Sequence, residues 1–194
     1  MDAGDQRLIQ RARQGDRSAF AELVDKYRNR IFGYLLRMVG NREDALDLAQ
    51  ETFLRVFSSL DSFNPDRPFK PWLYRIATNL AIDYLRRRRD VVSLDAPLHN
   101  QEGWHLQLAD EAPGPVERQE QAELAEYLAR LVSQLPENYR SAILLRHGHD
   151  LTYQQMAEIL GVPVSTVKTR LFRARERLRQ ELMKQRDHWE AYSQ

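Results

Sequence analysis

The stretch AEILGVPVSTVKTRLFRAR, Ala157–Arg175, has the pattern of two helices joined by a tight turn. Thr152 precedes the first helix, and Gly161 can adopt the left-handed backbone conformation that such a turn requires. Ser165 follows as a candidate cap for the second helix. The stretch therefore predicts a helix-turn-helix, a motif whose second helix enters the major groove of duplex DNA.

The second helix of this motif has one apolar side and one polar side. Val167, Leu171 and Leu178 recur at helical spacing and are predicted to face the core. We expect Arg173 and Lys168 to contact bases or phosphates of the DNA. The predicted duplex contacts are Ser165, Lys168, Thr169, Phe172, Arg173 and Arg175. A basic helix face is often merely solvated, but the turn and cap that precede this one favour DNA binding.

Composition places this helix-turn-helix in a larger helical protein. The chain has 194 residues, enough for two small domains, with 42% hydrophobic and 29% charged residues. No apolar run is long enough to suggest a membrane span, and the polar N-terminus resembles no signal or transit peptide, so we expect a cytoplasmic protein. Since there is no cysteine, disulfides, thiolate catalysis and cysteine-based zinc sites are excluded.

Charge is segregated along the chain although the net charge is only +1. Residues 164–180 are strongly basic, whereas residues 90–126 carry nine acids against one arginine and include the breaker pattern Pro113-Gly-Pro. We interpret the acidic segment as a flexible linker between two all-helical domains. The predicted division is a first domain over 1–90, a linker over 91–115, a second domain over 116–186 and a tail over 187–194.

The first ninety residues are predicted to form three helices. One is capped by Asp16 and reaches about Met38, the second is capped by Asn41, and the third runs from about Pro71 to Arg89. In the second helix the predicted buried stripe is Ala45, Ala49, Phe53, Val56, Phe57 and Leu60. Three acids lie away from that stripe at spacings of three and four, and we call them the acidic ridge: Asp44, Asp47 and Glu51.

The third helix is predicted to bury Leu73, Ile76, Ala77, Leu80 and Tyr84. A second face, called the strand face below, collects an aromatic ring with amide, carboxylate and guanidinium groups: Trp72, Arg75, Asn79, Asp83 and Arg86. These groups suit unpaired bases, which offer a stacking surface and free hydrogen-bonding edges. Spacing alone leaves equally open that Trp72 completes the core while the polar groups face water.

Three segments resemble the extracytoplasmic-function (ECF) group of bacterial sigma factors: EDALDLAQETFLRVF, PFKPWLYRIATNLAIDYLRRRR and LPENYRSAILLRHGHDLTYQQMAEILGVPVSTVKTRLFRARERL. The resemblance covers nearly the whole chain apart from the linker and the last ten residues or so. It implies a sigma2-like helical bundle and a sigma4-like helix-turn-helix domain that together direct core RNA polymerase to promoters.

The resemblance also implies roles for individual residues. Docking on the clamp helices of the largest polymerase subunit falls to Asp47, Leu48, Ala49, Gln50 and Glu51, and the spacing of the acidic ridge adds Asp44 to this set. Capture of a flipped −10 base falls to Asn79 with the loop 61–70, to which we add Asn64 of that loop and the remaining strand-face residues, Trp72, Arg75, Asp83 and Arg86. Reading of the −35 element falls to Lys168, Thr169, Phe172 and Arg173, with Ser165 and Arg175 as further predicted contacts. The flap of the second-largest subunit is a further expected contact. We expect no catalytic residue, metal or cofactor, no homo-oligomer, and control by an anti-sigma factor, often membrane-bound in this group.

Two other classes of protein fit the sequence less well. A two-component or quorum-type regulator would need a βαβ receiver or a ligand-binding sheet in the first ninety residues, and no such pattern is present. An enzyme is disfavoured because there is no glycine-rich phosphate loop or nucleophile elbow, and the five histidines lack metal-ligand spacing. His147 and His149 are expected at a helix end, in a surface or capping role.

Overall fold

The computed structural model describes residues 3–92, 115–149 and 151–192, with side chains described within 4–89, 124–149 and 151–184. The predicted linker lies almost entirely outside these residues. The described residues form eight α-helices and one 3₁₀ turn, Leu60–Ser62. The helices are α1 (Ala3–Arg13), α2 (Arg17–Val39), α3 (Arg42–Ser59), α4 (Phe69–Val92), α5 (Pro115–Ser133), α6 (Glu137–Gly148), α7 (Tyr153–Leu160) and α8 (Val164–Tyr192). The predicted all-helical fold is confirmed.

Helix α2 begins and ends where local chemistry predicts. The Asp16 carboxylate accepts hydrogen bonds from the backbone N–H groups of Ser18 and Ala19, which would otherwise lack partners in the first turn. Hydrogen bonds from Ser18 and Arg11 lower the pKa of Asp16 to about 2. At the other end Gly40 has φ 78°, so the helix closes on a left-handed residue that only glycine adopts without strain.

Helix α3 departs from the predicted stripe at two positions. Asn41 caps its start as expected, with the side-chain oxygen accepting from the Asp44 N–H. Phe57, predicted to be buried, is 55% exposed and makes only an edge contact with Phe20. Leu48, by contrast, is 8% exposed and packs in the core. The buried face is therefore rotated toward Leu48, because α2 and α4 cover that side of α3.

The helix-turn-helix forms as predicted, with one correction. Thr152 and Gln155 make a reciprocal capping box at the start of α7, and Gly161 ends that helix with φ 62°. Helix α8 begins at Val164, so Ser165 lies inside its first turn and is not its cap. The Ser165 carbonyl accepts the Thr169 hydroxyl at 3.0 Å. Val167 and Leu171 are buried and Leu178 is half-buried, as their spacing predicts.

An N-terminal helix was not predicted from the sequence. In α1, Asp5 is buried, although it is ionisable, and accepts hydrogen bonds from Lys26 Nζ at 2.7 Å and from the Tyr27 hydroxyl at 2.6 Å. These contacts fasten α1 across α2, since a buried carboxylate needs such partners. Too few apolar residues mark this segment for its helical period to be read from the sequence.

The two halves of the chain share one continuous core. Helix α7 packs against α4, and α6 packs against α2. Buried side chains of the second half, such as Leu145, Leu151 and Met156, belong to the same cluster as Leu35, Tyr34 and Tyr74 of the first half, the two tyrosines being fully buried. This packing brings the helix-turn-helix against the helix that carries the strand face.

Candidate nucleic-acid interface

The exposed side of α8 presents the residues predicted to contact duplex DNA. Lys168, Thr169 and Arg173 are exposed, and the Phe172 ring is 68% exposed. Among the described residues, neither Lys168 nor Arg173 forms an ion pair, so both cations are available to phosphate or to base edges. We refer to Lys168, Thr169, Phe172 and Arg173 as the recognition face.

The basic residues beyond this face differ in their surroundings. Arg175 is exposed, as expected for a phosphate contact. The Arg177 guanidinium instead stacks over the Tyr139 ring at 5.4 Å and ties α8 to α6. That contact was missed from the sequence, because the partner lies on another helix.

The first residues of the strand face line a cavity of about 370 Å³ at the start of α4. Asn64, Trp72 and Arg75 all line it. Trp72 is half-buried, with its ring centroid 4.7 Å from that of Phe63. The structure thus combines the two interpretations of Trp72, since one side of the ring completes an aromatic cluster and the ring also lines an open cavity.

The remaining strand-face residues extend along α4 away from the cavity. Asn79, Asp83 and Arg86 are exposed but do not line it. Arg67 does line it and was missed as an individual contact, although the predicted loop 61–70 includes it. Asn64 uses its side-chain oxygen to accept the Asp66 N–H at 2.9 Å, which stabilises the turn before the prolines.

Two of the three acids in the acidic ridge form ion pairs, which their spacing did not predict. Asp44 pairs with Arg88 at 3.4 Å and Glu51 with Arg55 at 2.7 Å, whereas Asp47 is exposed and forms no ion pair among the described residues. Gln50 is also exposed. Leu48 was predicted to contact the polymerase, but it is buried and offers no surface for a partner to touch. Its side chain instead supports α3 from the core.

Two exposed leucines beside the acidic ridge were not predicted from the sequence. Leu46 and Leu54 are 49% and 56% exposed and stand two turns apart on α3 with Gln50 between them. Large apolar side chains flanking free polar groups are typical of a protein interface. Both leucines lie on the side of α3 opposite its buried face, and this spacing is the sequence feature that could have predicted their exposure.

His149 occupies a different environment from the expected surface role. It is buried at the end of α6, where its ring lies 4.6 Å from the Tyr74 ring and 5.7 Å from the Tyr34 ring. Its Nδ1 is 2.9 Å from the Tyr74 hydroxyl. Burial, together with nearby Arg37, lowers the pKa of His149 to about 3, so the ring is neutral. His147, two residues earlier, is exposed as predicted.

Nothing in the described part of the chain forms a group of three or more histidine, aspartate or glutamate side chains able to hold a metal ion. Among the described helices, none combines the length and apolar character needed to cross a bilayer. The geometry instead shows two distinct surfaces. One is the exposed basic face of α8, and the other is an aromatic-lined cavity at the start of α4.

Comparison with known proteins places both parts of the chain in the sigma-70 class of proteins. Residues 23–91 match the family model for Sigma-70 region 2, and residues 125–178 match Sigma-70, region 4. The names region 2 and region 4 are used below for these two segments.

The relatives narrow the class to one group. The chain is 40% identical to the ECF RNA polymerase sigma factor SigW of Bacillus subtilis (strain 168), over 90% of this chain and 94% of that protein. This chain therefore belongs to the ECF sigma factors, which are not enzymes; they bind RNA polymerase and promoter DNA and direct transcription initiation.

Solved structures share the arrangement of helices. CnrH in complex with the cytosolic domain of CnrY aligns with a TM-score of 0.65 at 27% identity, covering 94% of this chain and 99% of CnrH. The sigma factor RpoE of Bartonella quintana, solved with the anti-sigma factor NepR, aligns with a TM-score of 0.66 at 24% identity, covering 85% of this chain and 96% of RpoE. The second likeness establishes the fold alone.

Proposed function

We propose that this sigma factor divides promoter recognition between its two regions. Region 4 reads the −35 element as duplex DNA through the recognition face, and region 2 holds melted −10 bases on the strand face. The observation that carries the proposal is the contrast between the two surfaces. An exposed basic helix face fits a major groove, while the cavity lined by Trp72, Asn64 and Arg75 has room for a base removed from its stack.

The strand face favours DNA that is already open. Extruding a base from a duplex costs a few kcal/mol, and stacking on an aromatic ring with edge hydrogen bonds offsets that cost. Trp72 supplies the ring, and Asn79 supplies an exposed amide one to two turns further along α4. Region 2 would therefore stabilise the melted state in preference to the closed duplex.

Core polymerase would dock on α3. Asp47 and Gln50 provide polar contacts, and the exposed Leu46 and Leu54 provide apolar area beside them. This combination fits a basic and partly apolar surface such as the clamp helices of the largest subunit, with region 4 meeting the flap of the second-largest subunit. The sigma factor acts as one copy per polymerase.

The proposal places the protein in the cytoplasm with the polymerase, under control of an anti-sigma factor. CnrH, which is 27% identical, is solved in complex with the cytosolic domain of CnrY, and that fact motivates the search for a protein partner here. A membrane-bound partner would hold the inactive pool at the membrane. Purification of the chain from unstressed native cells should recover it with such a partner; recovery with core polymerase alone would contradict this part.

Run-off transcription with purified core polymerase over a randomised promoter library tests the division of labour. Selected promoters should show two separate blocks of preferred bases. Substitution in the recognition face should alter only the upstream block, and substitution of Asn79 only the downstream block. Failure of the chain to direct initiation at any defined site would overturn the proposal.

A further inference from the structure

Region 4 is folded directly against region 2 through the end of α6. The buried His149 ring packs against the rings of both Tyr34 and Tyr74, which also contact each other at 5.5 Å. Lys70 Nζ donates to the His149 carbonyl at 2.6 Å. One turn into α6, the half-buried Arg140 guanidinium donates to the Met38 carbonyl at the end of α2. These contacts join side chains of one region to backbone and rings of the other, so the docking geometry is specific.

The same docking places two carboxylates of region 4 on the strand face. Glu158 of α7 lines the cavity that also contains Trp72 and Arg75. Glu137 of α6 lies 4.0 Å from Arg86 and 3.6 Å from Arg89, and its side chain is 16% exposed. Both acids therefore lie where the phosphates of a bound strand would meet the arginines of α4.

The recognition face is not covered in this arrangement. Phe172 remains 68% exposed, and α8 contacts mainly α6 and α7 of its own region. Docking therefore blocks one of the two nucleic-acid surfaces and leaves the other open.

We propose that the docked arrangement is a self-inhibited state, in which Glu137 and Glu158 of region 4 act as an internal cover of the strand face. This inference rests on the proposed function of that face. In the docked state the chain can meet duplex DNA through α8 but cannot hold a single strand, and binding to polymerase separates the regions. The cover thereby suppresses binding to unrelated single-stranded DNA before the polymerase is engaged.

The docking contacts are suited to release. The Nε2 atom of His149 is buried without a hydrogen-bond partner, which costs free energy as long as the regions stay together. Arg86 and Arg89 are more than half exposed, so their pairs with Glu137 are screened by water and are readily exchanged. A partner that binds the two regions at separate places can therefore pull them apart.

Two independent readouts test the cover on the full chain. The first is fluorescence anisotropy with a short single-stranded DNA of random sequence. The second is the distance between two spin labels on Ala21→Cys of α2 and Gln154→Cys of α7, which are the only thiols because the chain has no cysteine. Far-UV circular dichroism verifies that each variant keeps its helices.

Two sets of substitutions, each with a matched control, test the docking contact and the covering charges separately. His149→Ala removes the ring that packs between the regions without removing a charge, and His147→Ala changes an exposed histidine two residues away. Glu137→Gln with Glu158→Gln removes the covering acids, and Glu22→Gln with Glu181→Gln removes two exposed acids elsewhere. His149→Ala should show a longer label distance and bind the DNA roughly five- to thirtyfold more tightly, since apparent affinity follows the open fraction. The double glutamine form should also bind the DNA more tightly, because the strand face no longer carries two carboxylates that repel phosphate. The controls should match the wild type.

The outcomes also distinguish this inference from the proposed function. An unchanged label distance in His149→Ala, or no tighter DNA binding by either form while Asn79→Ala still weakens binding, overturns the cover and leaves the strand face intact. If no form of the chain binds the DNA in a way that depends on Asn79, the proposed function of the strand face fails and the cover fails with it.

Discussion

Lowering the pH from about 7.5 to about 5.5 is expected to weaken the docking of region 4 on region 2. His149 carries this effect because its ring is buried between the regions. Tyr34 of α2 and Tyr74 of α4 contact the ring. Burial, together with the nearby cations Arg37, Lys70 and Arg30, lowers the pKa of His149 from 6.5 to about 3. Burial also raises the pKa values of Tyr34 and Tyr74, so both phenols stay neutral over this range.

The sign and size of the effect follow from proton linkage. Above pH 6.5 the imidazole is neutral whether or not the regions are docked, so its titration does not change docking. Between pH 6.5 and about 3 the undocked state binds a proton that the docked state does not, and docking loses stability as the pH falls. One pH unit below 6.5 the loss is about 1.4 kcal/mol, or roughly tenfold in the docking equilibrium.

The label-distance measurement at the two pH values checks this, with circular dichroism to verify that the helices persist. The open fraction should rise at the lower pH in the wild type and in His147→Gln. In His149→Gln it should no longer depend on pH, since the titrating group is gone. An equal pH response in wild type and His149→Gln would refute the reasoning, because another group would then carry the effect.

Three further substitutions test other parts of the molecule. Arg173→Ala should weaken promoter binding by polymerase holoenzyme by about 1 to 3 kcal/mol and relax one −35 base preference; equal losses on all promoter variants would make it a phosphate contact instead. Asp47→Lys with Glu51→Lys should abolish core binding in a pull-down with the fold intact, since both lie on the surface of α3; unchanged affinity would remove the docking proposal. Asn79→Ala should slow open-complex formation more than closed-complex binding, and a pre-melted template should restore it; a defect that persists on that template would argue against base capture.

The core of the helix-turn-helix offers a test of stability. Leu171 is buried at 2% exposure, so Leu171→Ala should lower the free energy of unfolding by about 2 to 5 kcal/mol in urea denaturation. A change below the error of that measurement would mean that α8 is not held by this face.

Much of the fold was determined by the sequence itself, because helix ends depend on chemistry within a few residues. Asp16, Asn41 and Thr152 each accept a hydrogen bond from a backbone N–H two or three residues ahead, and Gly161 takes the positive φ that ends α7. Such contacts need no distant partner, so their positions can be read directly from the chain. The exposure of the recognition face follows for the same reason, since residues 168–173 of one helix supply all of it.

Tertiary structure alone decided what covers each helix face. The period of α3 marks an apolar side, but the neighbours α2 and α4 determine that Leu48 is buried while Leu46, Leu54 and Phe57 are exposed. The burial of His149 against Tyr34 and Tyr74, and the placement of Glu137 and Glu158 on the strand face, join residues more than fifty positions apart. The local spacing of residues does not predict such pairs, because only the packing of one region on the other brings them together.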